Sequence, residues 1–222
     1  MSSIAQKIAE YHQKLPQGVR LVAVSKFQPI EAIEEARKAG QIIFGESRLQ
    51  ELQEKVKHFP KDLEWHFIGH VQSKKVKTLL PLVSLIHAVD TEKLYDQIAK
   101  DAENLGIKVR ILLQVHIAQE ETKFGFSPDE IVRFMEEPAH RNHPHVCICG
   151  LMGMATFTDD KEQVRKEFRT LKQLFDLIKS KHFEANADFC ELSMGMSNDY
   201  AIALEEGATL VRIGTDIFGS RY

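Results

Sequence analysis

The sequence predicts an α/β fold, a single-domain (β/α)8 barrel with an extra helix at its N-terminus. Short apolar runs alternate with longer helical patterns along the chain, and this alternation implies a parallel sheet. Eight apolar runs in about 200 residues match the small end of the barrel class. No Pro/Gly/Ser-rich linker divides the chain, so we expect one domain over residues 1–222. A doubly wound open sheet is the alternative, but no GxGxxG motif follows the first predicted strand.

The predicted elements follow one another in a regular order. The chain opens with MSSIAQKIAEYHQKL, which has the pattern of an amphipathic helix. Each strand-like run then precedes a helical pattern or the C-terminal segment: VRLVAVS (19–25), QIIFG (41–45), LEWHFIG (63–69), VSLIHAVD (83–90), IKVRILLQVHI (107–117), HVCICGLMGMA (145–155), DFCELSMGM (188–196) and TLVRIG (209–214). Pro29 suits a first helical turn, Gly40 and Gly106 suit helix C-caps, and Ser127 suits an N-cap.

Composition and charge favour a small-molecule partner. The chain is 43% hydrophobic and 27% charged, with a net charge of −3 and basic and acidic residues interleaved. This balance provides no single-signed face for nucleic acid or an anionic membrane, so we expect neither as a partner. No signal-peptide core is present, and no apolar run approaches the ~18 residues of a membrane span. We therefore expect a soluble, cytoplasmic protein.

The cysteines and histidines give no metal signature. Cys147, Cys149 and Cys190 contain no CxxC pair, so we interpret them as ordinary core thiols. The cluster HRNHPH at 140–145 has no carboxylate or thiolate at ligand spacing, which favours a polar loop. We predict no metal site.

Lys26 ends the first predicted strand in the stretch LVAVSKF. On a barrel, active-site groups lie at the C-terminal ends of the strands, so Lys26 is expected at the mouth. Partial desolvation there would lower the pKa of the amine and favour its attack on a carbonyl. A Schiff-base lysine fits this position, and a solvated strand end is the alternative.

Two loops near the C-terminus have the composition of a phosphate site. LSMGMSNDY places Ser193, Gly195 and Ser197 between a strand and a helix, and RIGTDIFG places Gly214 and Thr215 in the equivalent position. Small residues let backbone N–H groups approach an anion, and hydroxyls add donors. Barrels commonly bind phosphate after their seventh and eighth strands. Tight turns and helix caps are the alternative interpretation.

Arg212 interrupts the apolar strand TLVRIG, where a charge is costly to bury without a partner. Glu46 or Glu191 could be a purely structural partner. A lysine for an aldehyde, donors for a phosphate and an arginine for a ring acceptor together describe pyridoxal 5′-phosphate (PLP). Arginine stays protonated, so it would donate to the pyridine nitrogen and weaken PLP as an electron sink.

These motifs resemble the pyridoxal phosphate homeostasis protein family, whose fold is similar to the barrel domain of alanine racemase. The resemblance covers nearly the whole chain: AVSK (23–26), FGESR (44–48), WHFIGHVQSKK (65–75), VHIAQEETKFGF (115–126), GLMGMA (150–155) and LSMGMSNDYAIALEEGATLVRIGTDIFGSR (192–221).

The resemblance implies a set of cofactor-binding residues. It implies that Lys26 carries PLP as a Schiff base and that Arg212 faces the ring nitrogen. Four residues are implied at the phosphate, within loops that also contain Met194 and Gly195: Ser193, Ser197, Gly214 and Thr215. Three residues at the end of the third strand are expected to line the pocket: His66, Ile68 and Gly69. His66 could equally be a core histidine.

Three positions depart from the family pattern, which commonly has asparagine where this chain has Ser47, Lys74 and His116. Alanine racemase draws its second acid–base tyrosine from an additional β-domain, and this chain ends at Tyr222 without one. We therefore expect a monomeric, non-catalytic carrier that binds PLP and other B6 vitamers and delivers or buffers PLP for apo-enzymes. The alternatives are a PLP-dependent racemase or lyase and a Schiff-base aldolase acting on a sugar phosphate.

Overall fold

The strands form a closed barrel. The computed structural model describes residues 3–59, 61–120 and 122–219; Tyr222 and the last two residues of the longest motif, Ser220 and Arg221, lie outside this range. The strands are Arg20–Val24 (β1), Ile43–Glu46 (β2), Glu64–Phe67 (β3), Leu85–Val89 (β4), Val109–Val115 (β5), Val146–Gly153 (β6), Glu191–Ser193 (β7) and Leu210–Ile213 (β8). Each strand pairs in parallel with the next, and β8 pairs with β1. The predicted (β/α)8 barrel is confirmed.

Helices precede the first strand and connect the others. They are Ile4–Lys14 (α1), Ile30–Lys38 (α2), Leu49–His58 (α3), Val76–Leu79 (α4), Glu92–Leu105 (α5), Pro128–Glu136 (α6), Pro138–Arg141 (α7), Lys161–His182 (α8), Tyr200–Glu205 (α9) and Thr215–Phe218 (α10). Short 3₁₀ turns at Ser73–Lys75 and Leu80–Leu82 flank α4. The extra N-terminal helix is confirmed as α1. No helix in the described part of the chain combines the length and apolar composition needed to cross a bilayer.

Local sequence signals explain the ends of α5 and α6. Ser127 caps α6 and forms a reciprocal capping box with Glu130. Gly106 closes α5 in the left-handed conformation, with φ of 63°, which glycine adopts without steric cost. Pro29 was predicted in the first turn of α2, but it lies one residue before the helix, as an extended N-cap with ψ of 162°. The helix starts at Ile30, after the chain has turned away from β1.

Two hydrophobic clusters fill the molecule. The larger packs the helices against the outer face of the barrel. The smaller is contributed by strand residues alone, which places it inside the barrel: Val22, Ile43, Leu85, Ala88, Leu112, Cys149, Met152 and Leu210. Cys149 is buried and Cys147 half-buried beside it, but Cys190 is exposed. The prediction of a core thiol at position 190 was therefore wrong, because this residue precedes the first residue of β7.

Candidate functional site

Lys26 lies just beyond β1, at the end of the barrel where all the parallel strands terminate. It is half-buried in a turn closed by a hydrogen bond from the Gln28 amide to the Ser25 carbonyl at 3.0 Å. The next residue, Phe27, has a positive φ of 65°, which is uncommon for a residue with a side chain. Its amide donates to Glu51 Oε1 at 2.5 Å. The backbone around Lys26 is thus held in an unusual conformation from the side of α3.

A buried ion-pair cluster contacts the backbone of this turn. Lys55 donates to the carbonyl of Ser25 at 2.7 Å and to the carboxylates of Glu46 at 2.7 Å and Glu51 at 2.6 Å. Ser25 Oγ donates to the same Glu46 oxygen at 2.6 Å. Burial raises the pKa of Glu46, although Lys55 and Ser25 act in the opposite direction. Charge-assisted bonds of this kind fix the turn that carries Lys26.

The loop after β8 lies next to Lys26 because β8 pairs with β1, and the loop after β7 comes next around the mouth because β7 pairs with β8. A Cβ on Gly214 would lie 3.1 Å from Cβ of Val24, two residues before Lys26. A Cβ on Gly195, whose φ is 91°, would lie 2.6 Å from Cβ of Ala203. Only glycine leaves the backbone this close to its neighbours at these points. The barrel closure therefore brings an amine and two narrow, glycine-containing loops to one side of the mouth.

The predicted phosphate residues differ in exposure. Ser197 is half-buried and Thr215 is exposed, so both residues are accessible to solvent in the free protein. Met194 is fully buried in the core cluster. The loop after β7 is tightened by Asp199, whose Oδ1 accepts from the Met196 amide at 2.6 Å. Burial raises the pKa of Asp199.

Arg212 is buried inside the barrel with neutral acceptors. Its Nη1 donates to Ser193 Oγ at 2.5 Å and its Nη2 to the Gly153 carbonyl at 3.0 Å. The two structural partners suggested by the sequence bind other cations, Glu46 binding Lys55 and Glu191 binding Arg20. Within residues 3–59, 61–120 and 122–219, no carboxylate forms an ion pair with Arg212. Burial lowers the pKa of Arg212 to about 10.

Ser193 and His66 face the barrel interior. Besides Arg212, Ser193 Oγ lies 2.9 Å from His87 Nδ1. The other nitrogen of His87 lies 3.0 Å from His66 Nδ1. His66 is 1% exposed, so this side chain is part of a buried polar network. Burial lowers the pKa of both histidines.

Ile68 and Gly69 shape the mouth after β3. Ile68 is half-buried, and its Cδ1 would lie 3.2 Å from a Cβ on Gly45. A Cβ on Gly69 would lie 2.5 Å from the Ser47 carbonyl oxygen. The loops after β2 and β3 can pass each other only because position 69 has no side chain.

A cavity of about 340 Å³ opens beside these two loops. Its polar lining is basic or neutral: Ser47, Arg48, Gln50, His70, Gln72 and Lys75. Of the three positions that depart from the family pattern, Ser47 lines this cavity and Lys74 is exposed. His116 lies farther round the mouth, with Nε2 2.9 Å from the Glu120 carbonyl. Among the described residues, no group of three His, Cys, Asp or Glu side chains could hold a metal ion.

Sequence reasoning missed several residues that shape the site. His87 occupies the strand VSLIHAVD and is fully buried, which makes it a polar residue in an apolar strand, as Arg212 is in TLVRIG. The same signal could therefore have identified it. Lys55 gave no comparable signal, because a lysine in the helical pattern SRLQELQEKVKHF resembles an ordinary surface cation.

The arrangement fits PLP chemically. An amine stands at the mouth on a fixed turn, hydroxyl-bearing loops with close-packed glycines lie beside it, and a guanidinium with only neutral acceptors lies beneath them. These are the donors that an aldehyde, a phosphate and a pyridine nitrogen require.

Comparisons with known proteins agree with this chemistry. The family model of the alanine racemase N-terminal domain matches residues 1–222. A pyridoxal phosphate homeostasis protein of Aquifex aeolicus (strain VF5) is 38% identical over 225 residues, covering 100% of this chain and 96% of the relative. The chain belongs to the pyridoxal phosphate homeostasis protein family.

Solved structures extend the comparison. PipY of Synechococcus elongatus PCC7942 has been solved without PLP, at 34% identity and a TM-score of 0.92, and with PLP bound, at 32% identity and a TM-score of 0.88. Each match covers 98% of this chain and 100% of PipY. Alanine racemase of Clostridium difficile 630 has a TM-score of 0.79 at 14% identity, covering 99% of this chain and 57% of the racemase. That likeness concerns the fold alone, and it confirms the predicted alanine-racemase-like barrel.

Proposed function

We propose that this protein binds pyridoxal 5′-phosphate and takes part in its intracellular homeostasis, as one PLP-binding domain over residues 1–222. The observation that carries this proposal is the buried guanidinium of Arg212. It is 5% exposed and contacts a hydroxyl and a carbonyl but no carboxylate within the described residues. A buried charge with only neutral acceptors is costly, and a ligand nitrogen at the adjacent mouth supplies a further acceptor.

The proposed binding residues are supported by their positions at the mouth. Lys26 holds the aldehyde carbon as a Schiff base, with its backbone fixed by Glu51 and Lys55. The phosphate lies at the loops after β7 and β8, where Ser197 and Thr215 add hydroxyl donors to the backbone near Gly195 and Gly214. Gly69 and Ile68 line the opposite wall. Bound PLP supplies a conjugated aldehyde that condenses reversibly with amines.

Ser193 and Met194 have interior roles in this proposal. The Ser193 hydroxyl is engaged by Arg212 and His87, so it acts on the ring side of the cofactor through Arg212, while its backbone borders the phosphate loop. Met194 packs beneath that loop. His66 acts within the interior network and does not contact the cofactor directly.

A carrier role suits this site better than catalysis. Arg212 would donate to the ring nitrogen and leave it unprotonated, which weakens PLP as an electron sink for carbanion chemistry. We therefore propose a cytoplasmic, monomeric and non-catalytic carrier that buffers PLP and delivers it to apo-enzymes, and that also accepts other B6 vitamers with the same phosphate. It has no nucleic-acid or membrane partner in this proposal.

The attachment site is tested by borohydride reduction followed by peptide mass spectrometry. We expect wild-type protein loaded with PLP to be yellow and to carry the reduced adduct on Lys26. Lys26→Ala should lose both the visible band and the adduct while remaining folded. Lys75→Ala is the matched control, since Lys75 is also half-buried near the mouth. An unchanged adduct in Lys26→Ala would exclude this attachment site.

The carrier role is tested by transfer. PLP-loaded protein should activate an apo-transaminase as fully as an equal amount of free PLP does. In parallel, the loaded protein should turn over no common amino acid faster than free PLP. Rapid, stereospecific turnover of one amino acid that is lost in Lys26→Ala would replace the carrier role with that of a racemase or lyase.

A further inference from the structure

A line of buried polar side chains crosses the interior of the barrel beneath the proposed ring site. Arg212 contacts Ser193 at 2.5 Å, Ser193 contacts His87 at 2.9 Å, and His87 contacts His66 at 3.0 Å. His66 Nε2 then lies 3.7 Å from Glu64 Oε2. The first four residues are at most 5% exposed. Glu64 opens β3 and is partly exposed, so the line runs from below the mouth to the end of the barrel where the strands begin.

The donors and acceptors in this line have a single consistent direction. Arginine has no acceptor, so Ser193 Oγ accepts from Arg212. If Ser193 also accepted a hydrogen bond from His87, neither Arg212 nor His87 would accept the proton of the Ser193 hydroxyl. A buried donor that has no acceptor is unfavourable. Ser193 therefore donates to Nδ1 of His87.

The same reasoning fixes both imidazoles. With Nδ1 as an acceptor, neutral His87 carries its proton on Nε2 and donates it to His66 Nδ1. His66 in turn carries its proton on Nε2, on the side facing Glu64. A charged imidazole would have two donors and no acceptor, and it would add a second buried positive charge near Arg212. Burial lowers the pKa of both histidines, in agreement with their neutral forms.

We propose that Ser193 and His87 are positioning residues that hold Arg212 against the ring nitrogen of PLP, through a one-way hydrogen-bond chain that ends at His66, whose Nε2 faces Glu64 across 3.7 Å. This inference rests on the proposed PLP binding. This hydrogen-bond chain fixes the rotation of the Ser193 hydroxyl, so that its oxygen accepts from Arg212. The guanidinium is then held in place by one of its N–H groups, and other N–H groups can donate to the ligand. It acts on the electronic state of the ring, whereas the loops after β7 and β8 act on retention of the phosphate.

The hydrogen-bond direction is tested first without cofactor. In ¹⁵N-histidine-labelled wild-type protein at pH 7, we expect His66 and His87 each to show a protonated Nε2 and an unprotonated Nδ1. The exposed His58 in the same spectrum provides an internal reference. A proton on Nδ1 of His87, or a doubly protonated ring at either position, would overturn the proposal. This measurement needs no variant and does not depend on PLP binding.

The effect on the ring is tested by the absorption spectrum of PLP-loaded variants. Ser193→Ala should shift the absorption maximum of the bound PLP, and Ser193→Thr, which keeps the hydroxyl, should restore the wild-type maximum. Ser197→Ala is the matched control in the same loop, and it should reduce retention without moving the maximum. His87→Leu should reproduce the shift, and His87→Asn, whose amide oxygen can accept from Ser193, should reverse it.

The outcomes separate this inference from the proposed function. If wild-type protein takes up no PLP, the proposed function fails, and the ¹⁵N measurement still decides the direction of the chain. If wild-type protein takes up PLP but Ser193→Ala and His87→Leu keep its absorption maximum, the positioning role is wrong and PLP binding stands.

Discussion

Lys55 and Arg212 are both almost fully buried, at 4% and 5% exposure, but their surroundings are opposite. Lys55 contacts two carboxylates and a backbone carbonyl, all within 2.7 Å. Arg212 contacts a hydroxyl and a carbonyl, and its nearest titratable neighbour along the network is a histidine whose pKa is lowered. Two carboxylates neutralise the first cation by direct contact. Among the described residues no carboxylate lies within salt-bridge distance of the second cation, and Asp199 attracts it only at longer range.

This difference separates a structural charge from a ligand-binding one. Removing a partner from a satisfied buried ion pair leaves an uncompensated charge and destabilises the fold. A buried cation with neutral acceptors already carries that cost in the free protein, so a ligand that accepts from it recovers part of the cost on binding. We therefore expect the Lys55 contacts to stabilise the fold and, under the proposed function, the Arg212 contacts to serve ligand binding.

The largest expected effect is at the satisfied pair. Glu46→Ala leaves Lys55 with Glu51 and the Ser25 carbonyl, and we expect a loss of about 3 kcal/mol in the free energy of unfolding, the lower end of the range for broken buried pairs. Urea denaturation measures it. Glu54→Ala is the matched control, because it breaks the exposed Lys57–Glu54 pair at 2.8 Å and should leave the free energy of unfolding close to that of wild-type protein. Equal losses in the two variants would contradict a structural role for the Lys55 cluster.

A second effect concerns the other end of the proposed ligand. Ser197→Ala and Thr215→Ala should each weaken PLP binding by about 1–3 kcal/mol, as expected for a lost hydrogen bond to a charged group. The stability of the cofactor-free protein should stay unchanged, because neither residue is part of the buried core. Equilibrium dialysis gives the affinities, with Ser180→Ala on the exposed face of α8 as the control. Wild-type affinity in the double variant would remove the phosphate from these loops.

The sequence predicts the barrel well, because the spacing of apolar residues and the alternation of strand and helix patterns are local properties of the sequence. All eight strand-like runs form strands, and the α5 and α6 caps lie where glycine and serine indicated them. Arg212 was also recognisable, since a charge in an apolar strand has few explanations. What the sequence left open was its partner, which depends on which side chains the other strands bring into the barrel.

Side-chain direction was the less predictable part of the site. Ser193 lies in a motif that suggests phosphate binding, but as the last residue of β7 it faces the same side as Glu191, two positions earlier. That alternation turns its hydroxyl into the barrel towards Arg212. Lys55 was unpredictable for another reason, because its burial depends on Glu46 from β2, nine residues earlier in the chain.

A direct comparison of the two cations gives a smaller effect. Arg212→Met removes a poorly compensated charge but leaves two acceptors without their donor, so the opposing contributions should keep the change in unfolding free energy below about 2 kcal/mol. Lys55→Met is the matched variant, and it should cost more because the buried Glu46 then loses its cation. Denaturation of both cofactor-free proteins measures the difference. A larger loss in Arg212→Met would mean that Arg212 is a structural charge like Lys55.

The smallest effect is the pH dependence of stability around Arg212. Burial holds the pKa of His87 well below its ordinary value of 6.5, so below pH 6.5 the unfolded chain binds a proton that the folded protein does not. Stability from this group is therefore fully present above pH 6.5 and is lost as pH falls towards the folded pKa. His66, Arg212 and Arg20 all oppose a charge on His87.

His87→Asn should reduce this loss between pH 7.5 and about 5.5, by up to about 1.4 kcal/mol for each pH unit in which the two states differ by one proton. Glu46 acts in the opposite direction, because its raised pKa gives stability that is present at low pH and lost as pH rises. Glu46→Gln should therefore steepen the decline on acidification, and His87→Asn should flatten it. Denaturation midpoints across this pH range measure both slopes, with His58→Asn on the exposed end of α3 as the control. Parallel slopes in His87→Asn and wild-type protein would show that the histidine beneath Arg212 is not held neutral by its burial.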